Sequence, residues 1–251
     1  MNRRAFAKRF PTFVISLERT PQRLENFRRW NAAADLDIEV FKAIDGRTIE
    51  VGGIDPAILK PGTVRYKPGS VASAMSHRAL WQRCAAGDKP FLIFEDDAAI
   101  RGDVREVLPA MIDRLDPSWE LFLLGYNNDV LIEVAIADDL NMRLGFSKRF
   151  PEPADLARFT AGRDPVGVAR LNLFFGLCGY LISPAGARSL LTKCFPLESR
   201  ELHIAASGVT LTTYTLDLRI ATHLRFVQAY ACIPPLVMPD NRPAASAKAG
   251  A

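Results

Sequence analysis

The sequence predicts an α/β domain, a mostly parallel central sheet flanked by helices. Three observations point there. Short apolar runs of strand length recur along the chain, and the helix-like segments between them open with a cap residue followed by proline. One run, Phe91-Leu92-Ile93-Phe94, ends abruptly in the carboxylates Glu95-Asp96-Asp97. In such sheets ligands gather beyond the carboxyl ends of the strands, so an acid cluster at that point would face a cleft. At 251 residues, 49% of them hydrophobic, the chain suits one sizeable domain and is short for two nucleotide-binding lobes.

Residues 1–10 form a basic leading segment containing Arg3, Arg4, Lys8 and Arg9. Thr12 to Leu17 reads as the first strand. Thr20-Pro21 then supplies a cap and a first-position proline for a helix through Leu24, Phe27 and Trp30. Ile38 to Phe41 is a second strand, ending at Ala43-Ile44-Asp45-Gly46, where Asp-Gly marks a turn at the same sheet edge. After a Gly- and Pro-rich span, a helix from about Ser70 to Ala86 delivers the chain into the acid-tipped strand. A helix is expected from Asp103 to Leu115 and a strand from Trp119 to Leu124 that stops at Gly125. Tyr126 to Arg170 has weak periodicity and reads as a mobile or insert-like region. Leu171 to Phe175 and Cys178 to Ile182 are strand-like, and Ser183-Pro184 opens a helix through Leu190 and Leu191. Thr215 to Leu224 looks helical and Phe226 to Ala231 extended, before Pro234-Pro235 closes the ordered core. The domain is therefore 11–242, with 243–251 a disordered tail of small residues.

A net charge of +4 suits anionic ligands such as nucleotide diphosphates, or an anionic membrane face. Arginine is dispersed and no nucleic-acid motif is visible, which argues against nucleic acid as a partner. The four cysteines have wide, unrelated spacings inside apolar segments, so reduced, buried thiols and a cytoplasmic setting are expected. The apolar run Phe13 to Leu17 is far too short for a signal-peptide core or a membrane span.

Three adjacent carboxylates repel one another unless a counter-ion is present, and alternation would send Glu95 and Asp97 one way and Asp96 the other if the strand stays extended. A hard divalent metal would relieve the repulsion. The plainer reading is an acidic strand end in which Asp97 caps the following helix. The absence of Cys/His spacing argues against structural zinc, whereas oxygen ligands suit Mg or Mn.

Several landmarks, in this order, resemble glycosyltransferase family 25, the lipooligosaccharide and collagen galactosyltransferases. They are Val14-Ile15-Ser16-Leu17-Glu18-Arg19 with Arg23 following, Ala43-Ile44-Asp45-Gly46, the pairs Ser76-His77 and Leu80-Trp81, and Phe94-Glu95-Asp96-Asp97. Trp119-Glu120-Leu121 before Leu124-Gly125 comes next, then Gly179-Tyr180-Leu181-Ile182-Ser183 with Gly186-Ala187 and Leu190-Leu191. The resemblance implies a single GT-A-like, Rossmann-related domain and an inverting hexose transfer from a UDP-sugar, galactose first, to a saccharide acceptor of a surface glycolipid such as lipooligosaccharide. It also implies a divalent metal, Mn²⁺ first and Mg²⁺ second. Separately, the basic residues Arg3, Arg4, Lys8 and Arg9 would let a cytoplasmic enzyme visit the inner membrane face, where a lipid-linked acceptor would lie.

On the same resemblance Asp97 and Asp96 would hold the metal, with Glu95 reaching it through water or meeting the ribose. Asp45 would meet the uridine ribose, Arg19 and Arg23 base or phosphate, and His77 would lie beside the donor. Asp217 corresponds to a late family acid that would act as base, acceptor ligand or metal-shell residue. Each has a plain alternative: a turn aspartate bonding its own backbone for Asp45, a solvated helix face for Arg23, a satisfied core histidine for His77, the polar side of a short helix for Asp217. His203 and His223 are further late-ligand candidates, and Tyr180 is either acceptor wall or core. The chain departs from the family pattern at Gly69-Ser70, where a Gly-Glu pair is usual, and around Asp217. A rival reading is therefore a catalytically inactive nucleotide-sugar or saccharide-binding protein with the same fold. An α/β hydrolase is weaker, since no Gly-x-Ser-x-Gly elbow occurs.

Overall fold

A computed structural model describes residues 1–242 except 64, 138–139, 148–149 and 205–207. The expected tail at 243–251 lies outside the described residues. The basic leading segment is a helix, α1 (Arg3–Arg9), capped by the Asn2 side chain, which accepts from Ala5 N; Phe6 and Phe10 fasten it to the core. Strand β1 (Thr12–Ser16) leads to α2 (Pro21–Trp30), which starts at the expected proline, and then to β2 (Ile38–Lys42). Helix α3 (Pro68–Ala85) begins two residues earlier than expected and feeds β3 (Phe91–Glu95). A short strand β4 (Ala98–Ile100) and α4 (Val104–Ile112) follow. Asp103, not Asp97, occupies the cap position of α4, and its carboxylate is held by Arg101 in a buried ion pair at 2.6 Å. The helix stops three residues short of Leu115, with Pro109 inside it.

Strand β5 (Leu121–Gly125) precedes the region expected to be insert-like. That expectation is overturned for the described residues. Strands β6 (Ile132–Ala137) and β7 (Leu140–Leu144) form an antiparallel pair, α5 (Pro153–Ala161) follows, and β8 (Gly167–Leu173) pairs with β6. The periodicity was weak because β6 buries only Ile132 and Val134, β8 only Leu171 and Leu173, and β7 is an exposed edge. Strand β9 (Gly179–Ile182), α6 (Pro184–Cys194), the hairpin β10 (Glu201–Ile204) with β11 (Val209–Thr212), and α7 (Leu216–Ala221) come next. Strand β12 (Ala229–Ile233) starts three residues later than expected, and β13 (Val237–Pro239) pairs with β4.

The main sheet runs β2-β1-β3-β9-β5-β12-β8-β6-β7. Strand β1 is parallel to β2 and β3, and β12 to β5. Strand β9 lies antiparallel between β3 and β5, and β8, β6 and β7 extend the sheet antiparallel, so the α/β sheet is mixed as a whole. Alternate residues feed two cores. Phe13, Ile15, Ile93 and Leu123 face a layer containing α3, α6 and α7; Val14, Leu92, Phe94 and Phe122 face α1, α2 and α4. Strands buried on both faces read as continuous apolar runs, which is how this sequence displayed them.

Two glycines of the motifs above act in packing. A Cβ at Gly186 would lie 2.0 Å from the Glu120 carbonyl oxygen, and one at Gly125 would lie 2.3 Å from that of Val237. The four cysteines are free and buried, and burial pushes Cys84 up to about 11 and Cys194 and Cys232 to about 12, which keeps them thiols at neutral pH. No helix among the described residues is long and apolar enough to cross a membrane.

Candidate functional site

The C-terminal ends of β1, β2, β3 and β5 and the start of β9 border one cleft of about 540 Å³. Arg19, Arg23, Asp45, His77, Glu95, Asp96, Asp97 and Asp217 all line it, although they come from five separate stretches of chain. The acid-tipped strand faces a cleft, as its sequence implied.

The geometry at its tip differs from simple alternation. The chain turns after Glu95, and Asp96 and Asp97 both meet the Arg23 guanidinium, at 2.7 and 3.1 Å. Pro21 opens α2 so that Arg23 sits in its first turn, aimed back over the end of β1. Asp96 is fully engaged: Oδ1 accepts from Arg23 and Oδ2 from Ser16 Oγ at 2.8 Å. Asp97 is not. Its Oδ1 is buried without a hydrogen-bond partner, and its carboxyl is pushed up to about 7 by burial, with Glu95 and Asp96 adding repulsion against the pull of Arg23. Among the described residues no three His, Cys, Asp or Glu side chains converge as a ready-made metal cage.

Beside this tip, Arg19 Nε donates to Asp45 Oδ2 at 2.9 Å, and Asp45 Oδ1 accepts from the Arg47 backbone N–H at 3.0 Å. Those contacts, the Arg47 N–H first, lower the Asp45 carboxyl below its ordinary range. Asp45 is thus both the turn aspartate and a cleft residue. The turn rests directly on α3, because a Cβ at Gly46 would come within 2.7 Å of Gly69 N and Cα. Ser76 Oγ pins it further, accepting from Ile44 N at 2.9 Å and donating to Ala72 O at 2.9 Å.

His77 is 1% exposed, with Nδ1 2.8 Å from the Tyr180 hydroxyl and Nε2 3.4 Å from Glu95 Oε1. Trp81 Nε1, which can only donate, also bonds that hydroxyl at 2.8 Å. The Tyr180 hydroxyl thus joins Trp81 to one nitrogen of His77, while the other nitrogen faces Glu95. His77 is a satisfied core histidine that also reaches the cleft carboxylate. Tyr180 is fully buried, so it belongs to the core and not to an acceptor wall.

Asp217, in the first turn of α7, accepts from Gly176 N at 2.7 Å, and Asn127 N donates to Phe175 O at 2.7 Å. Gly176 has φ +85°, where its missing side chain also leaves room for Asn127 Oδ1. Asp217 therefore fixes the loop that enters β9.

The family model described as glycosyltransferase family 25 (LPS biosynthesis protein) matches residues 10–203. The chain belongs to glycosyltransferase family 25. A glycosyltransferase 25 family member of Aedes aegypti is 26% identical over 201 residues, covering 74% of this chain and 28% of that protein. A probable inactive glycosyltransferase 25 family member 3 of Rattus norvegicus is 30% identical over 125 residues, covering 45% of this chain and 22% of that protein. The lipooligosaccharide biosynthesis protein lic2B of Haemophilus influenzae is 32% identical over 89 residues, covering 35% of this chain and 34% of that protein. The chain thus spans about a quarter to a third of the length of these curated relatives.

The family match ends before α7, so Asp217 lies outside it. Two expected late ligands of this family 25 protein sit elsewhere. His203 is exposed on β10 and bonds Thr210 Oγ1 at 3.1 Å. His223 follows α7, where burial and the nearby Arg219 hold its imidazole below the usual range. Neither lines the cleft. Sequence reading also missed two participants, Ser16, the second anchor of Asp96, and Asp129, a cleft residue three positions beyond Tyr126. The signal for Asp129 was present: β5 is an apolar run followed, after Tyr126, by the polar residues Asn127-Asn128-Asp129, much as β3 runs into its acids.

Proposed function

We propose that this chain is a metal-dependent, inverting hexosyltransferase that moves galactose from UDP-galactose to a saccharide acceptor of a surface glycolipid. The observation that carries the reading is Asp97 Oδ1, a recessed carboxylate oxygen in the cleft with no protein donor. A buried anionic oxygen left unpaired costs free energy until a cation or donor reaches it. Asp97 would hold Mn²⁺ or Mg²⁺ together with the donor's phosphates. The cation would neutralise the charge that develops on the departing diphosphate.

The protein's own groups have separate tasks in this reading. Asp96, tied by Ser16 and Arg23, positions Arg23 and leaves Asp97 the better-placed ligand. Asp45 and Arg19 hold the nucleoside, and Glu95, oriented by His77, bonds the donor. Asp217 reaches the cleft from α7 and takes the acceptor proton as general base. A cytoplasmic enzyme would meet its lipid-linked acceptor at the inner leaflet through Arg4 and Lys8, exposed on α1.

The experiment is UDP release from UDP-galactose and UDP-glucose with Mn²⁺, with and without EDTA, for wild type and Asp97→Asn. Release that EDTA and the substitution both abolish supports the transferase. A binding-only protein is the reading favoured by Ser70 and by the relatives named inactive. Metal-dependent UDP binding without release, even when a lipooligosaccharide acceptor is added, would replace the proposal with that one.

A further inference from the structure

Asp129 has no place in the chemistry above, yet it lines the same cleft with its Oδ1 buried and without a hydrogen-bond partner. Its neighbour Asn128 is 3% exposed, and its Oδ1 also lacks a donor. The segment after β5 is therefore short of donors, not of acceptors. It is not a loose end: Asn127 N donates to Phe175 O at 2.7 Å, and the adjacent Gly176 N is held by Asp217 at 2.7 Å. A fixed segment that presents buried acceptors suits a ligand rich in hydroxyl donors.

The strand order says which part of a ligand arrives there. Along β2-β1-β3-β9-β5 the cleft meets Asp45 after β2, Arg19 after β1, Asp96 and Asp97 after β3, and Asp129 after β5. Adjacent strands are about 4.8 Å apart, so Asp129 is displaced roughly 10 Å from the Asp97 strand, on the side away from Asp45. A nucleoside diphosphate sugar has the same linear order, with nucleoside, diphosphate and then hexose. We infer that Asp129 accepts hydrogen bonds from hydroxyls of the donor hexose and so helps select the transferred sugar. This rests on the nucleotide-sugar reading of the cleft.

The test is calorimetry in Mn²⁺ with UDP, UDP-galactose and UDP-glucose, for wild type, Asp129→Ala and Asp129→Asn. Because Asp129 Oδ1 bonds no protein group, both variants should melt within a few degrees of wild type. UDP and Mn²⁺ affinities are expected to stay within about twofold. UDP-galactose or UDP-glucose should bind about tenfold or more weakly in Asp129→Ala, the effect of losing a hydrogen bond to a charged group. Asp129→Asn should fall between. Unchanged hexose-nucleotide binding would overturn the inference. So would a loss shared equally by UDP, which would make Asp129 a nucleotide or metal residue. If wild type binds no UDP, the parent reading fails first, and this inference falls with it.

Discussion

Asp97→Asn should make the metal-free protein more stable at neutral pH while ending its function. In the folded chain burial pushes the Asp97 carboxyl from its ordinary 3.8 up to about 7. The folded state therefore holds a proton that the unfolded chain has already released between about pH 4 and pH 7. By linkage, stability falls as pH rises through that window and levels off above it. At about 1.4 kcal/mol for each pH unit, the ionised Asp97 costs up to about 4 kcal/mol at pH 8. Asparagine keeps the shape without the charge. Urea unfolding in EDTA at pH 4, 6 and 8 should give a variant close to wild type at pH 4 and more stable by up to about 4 kcal/mol at pH 8. Part of the gain is offset because Arg23 loses one of its two carboxylates. A variant less stable than wild type at pH 8, or a gap independent of pH, would refute the reasoning, since Arg23 would then more than compensate the buried charge. Stability relinquished at a functional carboxylate is the pattern expected of a site built for a ligand.

Arg23→Met removes the cation shared by Asp96 and Asp97, and breaking such a recessed pair should cost about 3 kcal/mol or more at pH 8 and less at pH 5, read by urea titration. Gly186→Ala drives a Cβ onto the Glu120 carbonyl and should cost at least about 3 kcal/mol, a fall in Tm of roughly 6–12 °C by calorimetry. Asp217→Ala frees the Gly176 N–H; that amide should lose hydrogen-exchange protection and transfer should fail while UDP binding survives, whereas parallel loss of UDP binding would make Asp217 part of the donor site. Arg4→Glu with Lys8→Glu should weaken binding to anionic liposomes with Tm unchanged. Deleting residues 1–10 is the poorer test, because it also strips Phe6 and Phe10 from the core.

Local chemistry that agreed with the fold was legible in the sequence. Thr20-Pro21 and Ser183-Pro184 marked the starts of α2 and α6 because proline's fixed φ suits a helix and its missing N–H costs no hydrogen bond in the first turn. The apolar runs of β1, β3 and β9 were visible because both faces of those strands are buried. Asp96, Asp97 and Arg23 were named, but their geometry was not: alternation holds only while the backbone stays extended, and the chain turns after Glu95. The region 126–170 was misread because its strands bury one face or none, which leaves little periodic signal in short segments. His203 and His223 were chosen by residue type alone, and no local pattern placed them at the cleft. Asp129 falls in the stretch read as insert-like, although it follows β5 at the same sheet edge where the acids follow β3.

The most direct test of the central claim is a crystal of the protein grown with UDP and Mn²⁺, with the metal located by its anomalous scattering. The account predicts a manganese peak within coordination distance of Asp97 Oδ1, bridged to the diphosphate, with the nucleoside against Arg19 and Asp45. A nucleotide bound without metal at Asp97, or a metal peak elsewhere with the cleft empty, would contradict it.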